Sequence, residues 1–153
     1  MNIISHRGNT IGPNPARENE PEYLKEAIEL GYDVELDVWY HDGQLFTGHD
    51  GPRHILSDHD FRSIISRAWF HCKNVEALEY LNRHFLRPNF FWHQSDDYTL
   101  TSHGYVWTYP HLKGSEKSIA VLPEIFNANR NDLKDFWGVC TDYCIEFDPS
   151  QSQ

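Results

Sequence analysis

The chain has 153 residues, which is typical of a single domain, and its 39% apolar and 14% aromatic content is enough for a hydrophobic core. A net charge of −10 and the lack of any Lys/Arg-rich run argue against nucleic acid or an anionic membrane as a partner. Three cysteines, in no metal-ligand spacing, argue against a disulfide framework. The start of the chain shows no signal peptide or membrane span, so we expect a cytoplasmic protein.

Short strands alternate with helices or loops along the chain. Apolar runs predict eight strands, at 2–5, 32–40, 45–48, 69–73, 89–94, 104–109, 118–122 and 138–141. Apolar periodicity predicts helices at 21–30, 58–67 and 75–85, and a short one at 132–137. Pro21 suits a first helical turn, and Ser57 is a plausible N-cap with Asp60 three residues later. We interpret residues 1–145 as one domain and residues 146–153 as a polar C-terminal tail.

This pattern implies a mostly parallel α/β sheet, and eight strands favour a closed barrel. We therefore expect a small (β/α)8 TIM-like barrel with an incomplete outer helical ring. Such barrels usually need about 200 residues or more, and the connection 94–104 is too short for a helix. A different open α/β arrangement is the alternative. An incomplete ring would expose apolar outer strand faces, which favours self-association into a homo-oligomer.

Two carboxylates lie within one apolar run, at Glu35 and Asp37. In a strand, residues two apart point to the same face. Unpaired buried carboxylates are costly, so a buried pair usually binds a cation. Oxygen ligands suit a hard divalent cation, Mg²⁺ or Ca²⁺. The same alternation, with Asp33 as a third acid, fits a solvent-facing strand edge equally well.

Further polar side chains follow the predicted strands. His6 ends the first strand and His49 the third. An unperturbed imidazole has a pKa near 6.5, which makes histidine the usual residue for general acid and base catalysis. Arg7 offers a forked donor for a phosphate, and Lys73 ends the fourth strand. In parallel α/β folds the catalytic or binding site lies at the carboxyl ends of the strands. Taken alone, each histidine is better explained by a structural hydrogen bond, Arg7 by an exposed ion pair, and Lys73 by a place on the surface.

Two aromatic residues lie near the end of the sixth predicted strand. They are Trp107 and Tyr109. Most aromatic residues at such places belong to the core. Either one could instead line the wall of a substrate pocket.

Five elements occur in order between residues 4 and 50: His6-Arg7-Gly8, Glu18-Asn19, Glu35-x-Asp37, an Asp-Gly turn at 42–43, and His49-Asp50. Their order and intervals resemble the glycerophosphodiester phosphodiesterase family. Further along, Lys73 resembles the family's strand-four lysine, and residues 138–143 resemble its closing strand. The resemblance implies a metal-dependent phosphodiesterase on a TIM barrel that acts on a small phosphodiester.

The resemblance also implies the roles of individual residues. His6 and His49 would be the acid/base pair, and Arg7 and Lys73 would contact the phosphate. Glu35 and Asp37 would bind the metal. Glu18 sits where the family's Glu-Asn element helps to arrange the site, so we group it with Trp107 and Tyr109 as substrate-binding.

The sequence departs from the family at the third metal ligand. His71 stands where the family usually has a Glu, and His suits a softer metal better than Mg²⁺ or Ca²⁺. Glu20 replaces a usual Thr, and the insertion that shapes the glycerol pocket is missing. Two alternatives therefore remain open. One is a non-catalytic module that binds a phosphorylated ligand, and the other is a zinc or other transition-metal hydrolase that uses His71.

Overall fold

The computed structural model describes residues 1–150. Ten strands alternate with a few short helices. The strands are β1 (Asn2–His6), β2 (Asp33–His41), β3 (Gln44–Thr47), β4 (His54–Ile55), β5 (Ala68–Cys72), β6 (Asn89–Trp92), β7 (Tyr98–Leu100), β8 (Val106–Thr108), β9 (Ser118–Val121) and β10 (Gly138–Thr141). The helices are α1 (Pro21–Glu29), α2 (Asp58–Ile64), α3 (Val75–Arg83), a 3₁₀ helix (Pro123–Phe126) and α4 (Cys144–Phe147).

The strands form one mixed sheet. Parallel pairs run in the order β6-β5-β2-β1-β10-β9-β8. β2 is long enough to pair along its first part with β1 and β5 and along its last part, antiparallel, with β3. The antiparallel strands β4 and β7 extend the sheet from β3 and β8. The carboxyl ends of the parallel strands therefore meet at one edge.

The prediction of a (β/α)8 TIM-like barrel is wrong, because the sheet is a half-barrel with few helices. Within residues 1–150 no backbone ladder joins β6 to β7 or β8, although Ser102 and Phe90 exchange two hydrogen bonds across that gap. A crossover helix needs a dozen or more residues. The connection from β8 to β9 is residues 109–117, too short for one. Turns and irregular segments connect these strands instead of a helix.

Most predicted elements are present, and the exceptions are short. The two-residue strand His54–Ile55 and the strand Tyr98–Leu100 were not predicted. Residues 132–137 form turns rather than a helix. The predicted cap of α2 is confirmed, because the Ser57 hydroxyl oxygen accepts a hydrogen bond from the backbone N–H of Asp60 at 3.1 Å.

The main hydrophobic core lies between the sheet and its first three helices. Buried side chains of α1, α2 and α3 pack against β2 and β5, and they include Leu24, Phe61, Leu81, Leu36 and Phe70. Full burial of one such side chain contributes about 1.5–3 kcal/mol. None of the helices in the described part of the chain is long and apolar enough to cross a bilayer.

A second cluster fills the concave face of the sheet with aromatic rings. Trp107 stacks on Phe91 at 4.5 Å between ring centroids and packs against Trp69 at 5.9 Å. Side chains two residues apart in a strand share a face. The next inward positions are therefore polar ones, such as His71 two residues after Trp69. The buried aromatic layer therefore lies beneath these polar side chains.

The packed structure continues past residue 145. Phe147 of α4 is buried beside Leu133 and Val139, and the Tyr32 hydroxyl donates a hydrogen bond to Asp148 at 3.1 Å. Residues 151–153 of the predicted tail lie outside the described residues.

Candidate functional site

A cavity of about 280 Å³ opens at the carboxyl ends of the parallel strands. Eight of the predicted site residues line it: His6, Arg7, Glu35, His49, His71, Lys73, Trp107 and Tyr109. Asp37 is fully buried and contacts three of them, Arg7, His71 and Lys73. Glu18 lines a neighbouring cavity of about 350 Å³, which shares Arg7 and His49 with the first. The structure thus brings together side chains that are far apart in the sequence.

Glu35, Asp37 and His71 form a candidate metal centre. Their ligand atoms all lie within 4.8 Å of one another, so the cluster could hold a metal ion. Asp37 pairs in register with His71 across parallel strands, which places both side chains on the same face. Glu35 Oε2 and Asp37 Oδ1 are buried, and neither accepts a hydrogen bond of regular geometry among residues 1–150. Their nearest cationic groups are His6 Nε2, at 3.9 Å from Glu35 Oε2, and His71 Nδ1, at 3.1 Å from Asp37 Oδ1. Because buried acceptors usually have well-formed hydrogen bonds, these oxygens fit a bound cation.

The hydrogen bonds of His71 define its protonation. Its Nε2 lies 2.8 Å from the carbonyl oxygen of His93, which can only accept, so Nε2 carries a hydrogen. Its Nδ1 lies 3.1 Å from Asp37 Oδ1 and 3.6 Å from Glu35 Oε1. Nδ1 therefore offers these carboxylates a proton, or offers a cation its lone pair. Burial lowers the pKa of His71, but the nearby carboxylates of Asp37 and Glu35 outweigh it and raise the pKa to about 9.

Asp37 is the most heavily contacted acid of the site. Its Oδ2 lies 2.9 Å from Arg7 Nε, and its Oδ1 lies 3.5 Å from Lys73 Nζ. Asn19 donates to Oδ2 at 3.0 Å and accepts from the Asp37 backbone N–H at 2.9 Å, which ties the 9–20 loop to β2. Burial raises the pKa of Asp37, but the contacts with His71, Arg7 and Lys73 together hold it well below its usual range.

The His6 ring contacts Asp142 through one nitrogen and faces Glu35 with the other. Its Nδ1 lies 2.8 Å from Asp142 Oδ1, and its Nε2 lies 3.9 Å from Glu35 Oε2. Asp142 also accepts from Asn9 Nδ2 at 2.8 Å, and its backbone N–H donates to Glu124 at 2.8 Å. Burial lowers the pKa of His6, but the bond to Asp142 and the charge of Glu35 outweigh it and raise the pKa above its ordinary value.

His49 lies in a more open position on the connection between β3 and β4. Its side chain is 45% exposed, and its Nδ1 lies 2.7 Å from the carboxylate of its neighbour Asp50. The preceding Gly48 has a φ of 146°, and a Cβ there would collide with the carbonyl oxygen of Gly51. The Gly48 carbonyl accepts from Trp39 Nε1 at 2.7 Å, which anchors the connection to β2.

Three polar contributors were not predicted from the sequence. Asp142 directly follows β10, so the strand-end rule that identified His6 and His49 could have found it. Asn9 and His93 carry no signal beyond a position in a loop or at a strand end. The thiol of Cys72 also lines the cavity, but burial raises its pKa to about 12, so it stays protonated.

Comparisons with known proteins give no match. No protein-family model, no curated protein and no solved structure matches this chain. These comparisons neither support nor refute the resemblance to the glycerophosphodiester phosphodiesterase family, so the function is argued from the site itself.

Proposed function

We propose that this protein is a metal-dependent phosphodiester hydrolase of the glycerophosphodiester phosphodiesterase type, with His6 and His49 as its acid/base pair. One observation carries the proposal. Two buried carboxylate oxygens, on Glu35 and Asp37, accept no hydrogen bond of regular geometry, and they lie beside His71 at a cavity that both histidines line. A volume of about 280 Å³ suits a small phosphodiester.

Glu35, Asp37 and His71 would hold the metal. Mg²⁺ or Ca²⁺ is the first choice, because two of the three ligands are carboxylates. When bound, such an ion would polarise the phosphoryl group and offset developing charge. The bond from His71 Nε2 to a backbone carbonyl is the kind that orients a ligating imidazole. The nitrogen ligand also favours a second choice, Zn²⁺ or another transition metal.

Arg7 and Lys73 would bind the phosphate oxygens. Both line the cavity, and both contact Asp37, so two cations lie beside the candidate metal ligands. The guanidinium fork of Arg7 matches the geometry of a phosphate. Glu18 contacts Arg7 at 3.3 Å and would orient it, although Glu18 lines only the neighbouring cavity.

The two histidines would move the protons. One takes a proton from the attacking hydroxyl, which belongs to water or to the substrate itself, and the other gives a proton to the leaving alcohol. A substrate hydroxyl as the attacker would give a cyclic phosphate product. Trp107 and Tyr109 would contact the alcohol group, because they form an aromatic part of the cavity wall.

A second candidate is a non-catalytic module that binds a phosphorylated ligand. The protonated imidazole of His71 already neutralises the carboxylates that it contacts, with its Nδ1 at 3.1 Å from Asp37 and 3.6 Å from Glu35. A closed ion-pair cluster of this kind needs no metal. Arg7 and Lys73 would then bind a phosphate without hydrolysing it.

Hydrolysis of bis-(p-nitrophenyl) phosphate separates these candidates. We expect turnover that needs Mg²⁺, Ca²⁺ or a transition metal and that stops with a chelator. His6→Ala should lower kcat by about 10²–10⁴-fold, since this is the range of general acid/base catalysis. His59→Ala, an exposed histidine of α2, is the matched control and should keep full activity. If there is no metal-dependent turnover and His6→Ala equals the wild type, the hydrolase is excluded. Calorimetric binding of inorganic phosphate would then support the second candidate.

A further inference from the structure

Asp142 lies beside His6 at the end of the neighbouring strand. β1 and β10 are parallel, and Ser5 pairs with Thr141, so His6 and Asp142 each follow that pair by one residue. Their contact of 2.8 Å joins Nδ1 to a carboxylate oxygen. A carboxylate only accepts, so Nδ1 carries the hydrogen. In the neutral ring, Nε2 is then the atom that holds a lone pair.

The loop residue Asn9 fixes which atom of Asp142 faces the ring. Asn9 is fully buried, and its Oδ1 accepts from the backbone N–H of Asn14 at 3.0 Å. Its Nδ2 must therefore be the group that points to Asp142 Oδ1, at 2.8 Å. The same oxygen thus receives two donors, one from Asn9 and one from His6. The backbone N–H of Asp142 donates a further hydrogen bond to Glu124 Oε1 at 2.8 Å, which fixes the position of the backbone.

We propose that Asp142 is a positioning residue for His6, holding the tautomer in which Nε2 is free to exchange a proton with the substrate. This inference rests on the proposed hydrolase function. When Nε2 takes the proton of the attacking hydroxyl, both ring nitrogens carry hydrogens, and the Asp142 carboxylate stabilises the resulting imidazolium without taking a proton itself. Asp142 therefore acts in two ways, through orientation and through charge.

Two substitutions separate orientation from charge. In Asp142→Asn, the donors of Asn9 and His6 both require an acceptor at the Oδ1 position, so the amide oxygen should occupy it and the tautomer should persist. In Asp142→Ala, the acceptor and the charge are both lost. Asp148→Asn is the matched control, because it is the same chemical change at an acid that contacts Tyr32 rather than His6.

The first measurement is steady-state hydrolysis of bis-(p-nitrophenyl) phosphate. We expect kcat to fall about 10-fold in Asp142→Asn and about 10²–10³-fold in Asp142→Ala, with KM within about twofold, because the residue acts on proton transfer and not on binding. Asp148→Asn should match the wild type. Equal kcat in the wild type and Asp142→Ala would overturn the functional role.

The second measurement does not depend on turnover. Nitrogen-15 spectra of the imidazoles, recorded at alkaline pH with His6 assigned by its loss in His6→Gln, report which ring nitrogen carries the hydrogen. We expect Nδ1–H in the wild type and in Asp142→Asn, and a shift toward Nε2–H in Asp142→Ala. An unchanged tautomer in Asp142→Ala would overturn the positioning. A shifted tautomer in Asp142→Ala, together with no turnover by the wild type, would exclude the hydrolase and still support the positioning of His6.

Discussion

The two halves of the sheet are supported in different ways. The helix-backed half is β2, β5 and β6 with α1, α2 and α3, and its core contains fourteen buried side chains. The loop-backed half is β8, β9 and β10 with the 3₁₀ helix, turns and α4, and its outer cluster contains four. Packing density around a strand limits how far it can move. The helix-backed half is therefore the more rigid part of the scaffold.

The candidate site divides along the same line. The helix-backed half supplies Glu35, Asp37 and His71, whose ligand atoms must stay within a few ångströms of one another. The loop-backed half supplies Asp142, which contacts His6, and Trp107, which forms part of the aromatic cavity wall. Holding two buried carboxylates together opposes their mutual repulsion, so it requires well-packed strands. An aromatic wall such as Trp107 carries no such repulsion and does not require this support.

The largest expected effect tests the two cores directly. Phe70→Ala removes a fully buried ring from the helix-backed half and should lower the free energy of unfolding by about 4 kcal/mol. Phe147→Ala makes the same change in the loop-backed half, where the sparser cluster can relax, and should cost about 2 kcal/mol. Urea denaturation measures both. Equal losses would show that the two halves are equally well packed.

A smaller effect separates the two carboxylates of β2. Asp37→Asn leaves Arg7, His71 and Lys73 without their shared buried anion, and we expect a loss of about 3 kcal/mol in the metal-free protein. Glu35→Gln removes an acid whose contacts with His6 and His71 are 3.9 and 3.6 Å, and whose charge repels Asp37. The free energy of unfolding of Glu35→Gln should differ from that of the wild type by less than about 1 kcal/mol, because the lost attractions and the lost repulsion offset each other. Thermal melts without metal measure the difference.

The same pair also tests the metal centre. Added metal should raise the melting temperature of the wild type, since a ligand that binds only the folded state stabilises it. Glu35→Gln should abolish that rise in melting temperature. It should also lower metal-dependent turnover strongly, while the free energy of unfolding stays close to that of the wild type. If Glu35→Gln chiefly unfolds the protein, Glu35 is a structural residue and the ligand assignment is wrong.

The local part of this structure could be predicted from the sequence. The spacing of Glu35 and Asp37 places both side chains on one face, and their burial excludes the alternative of a solvent-facing strand edge. The strand-end rule placed His6 at the edge where the carboxyl ends of the parallel strands meet. His49 lines the same cavity, but it follows β3, which is antiparallel to β2, so the rule for parallel strands does not explain its position. The cap at Ser57 also follows from local hydrogen bonding.

The long-range part could not be predicted. The contact of His6 with Asp142 spans 136 positions of sequence and depends on β10 lying beside β1. The half-barrel depends on how the short connections fold against the sheet, which apolar periodicity does not report. The strand His54–Ile55 has two residues, fewer than any alternation pattern requires. The sequence pattern therefore identified the polar ends of single strands and missed the contacts between them.

The smallest expected effect concerns the link between the first two helices of the helix-backed half. Lys25 of α1 contacts Asp60 of α2 at 2.6 Å. Burial raises the pKa of Asp60, but the hydrogen bonds from Lys25 and from Ser57 outweigh it and lower the pKa below its usual value. The ionised form is therefore favoured by folding. Its contribution is present above about pH 4, the usual range for Asp, and is lost as the pH falls through the lower pKa of the folded state.

Asp60→Asn should then cost about 0.5 kcal/mol at pH 7, because both partners are partly exposed and solvent screens the pair. The difference from the wild type should shrink as the pH falls below about 4, because protonation of Asp60 makes the wild-type side chain neutral as well. Glu79→Gln is the matched control, because it is a carboxylate-to-amide change in an exposed pair whose partner Arg83 lies on the same helix, and it should leave the free energy of unfolding nearly unchanged. Denaturant melts of all three proteins across this range measure the link. A difference that stays constant as the pH falls would assign the role of Asp60 to the shape of the α2 cap, and the charge of Lys25 would then contribute nothing to the packing of α1 on α2.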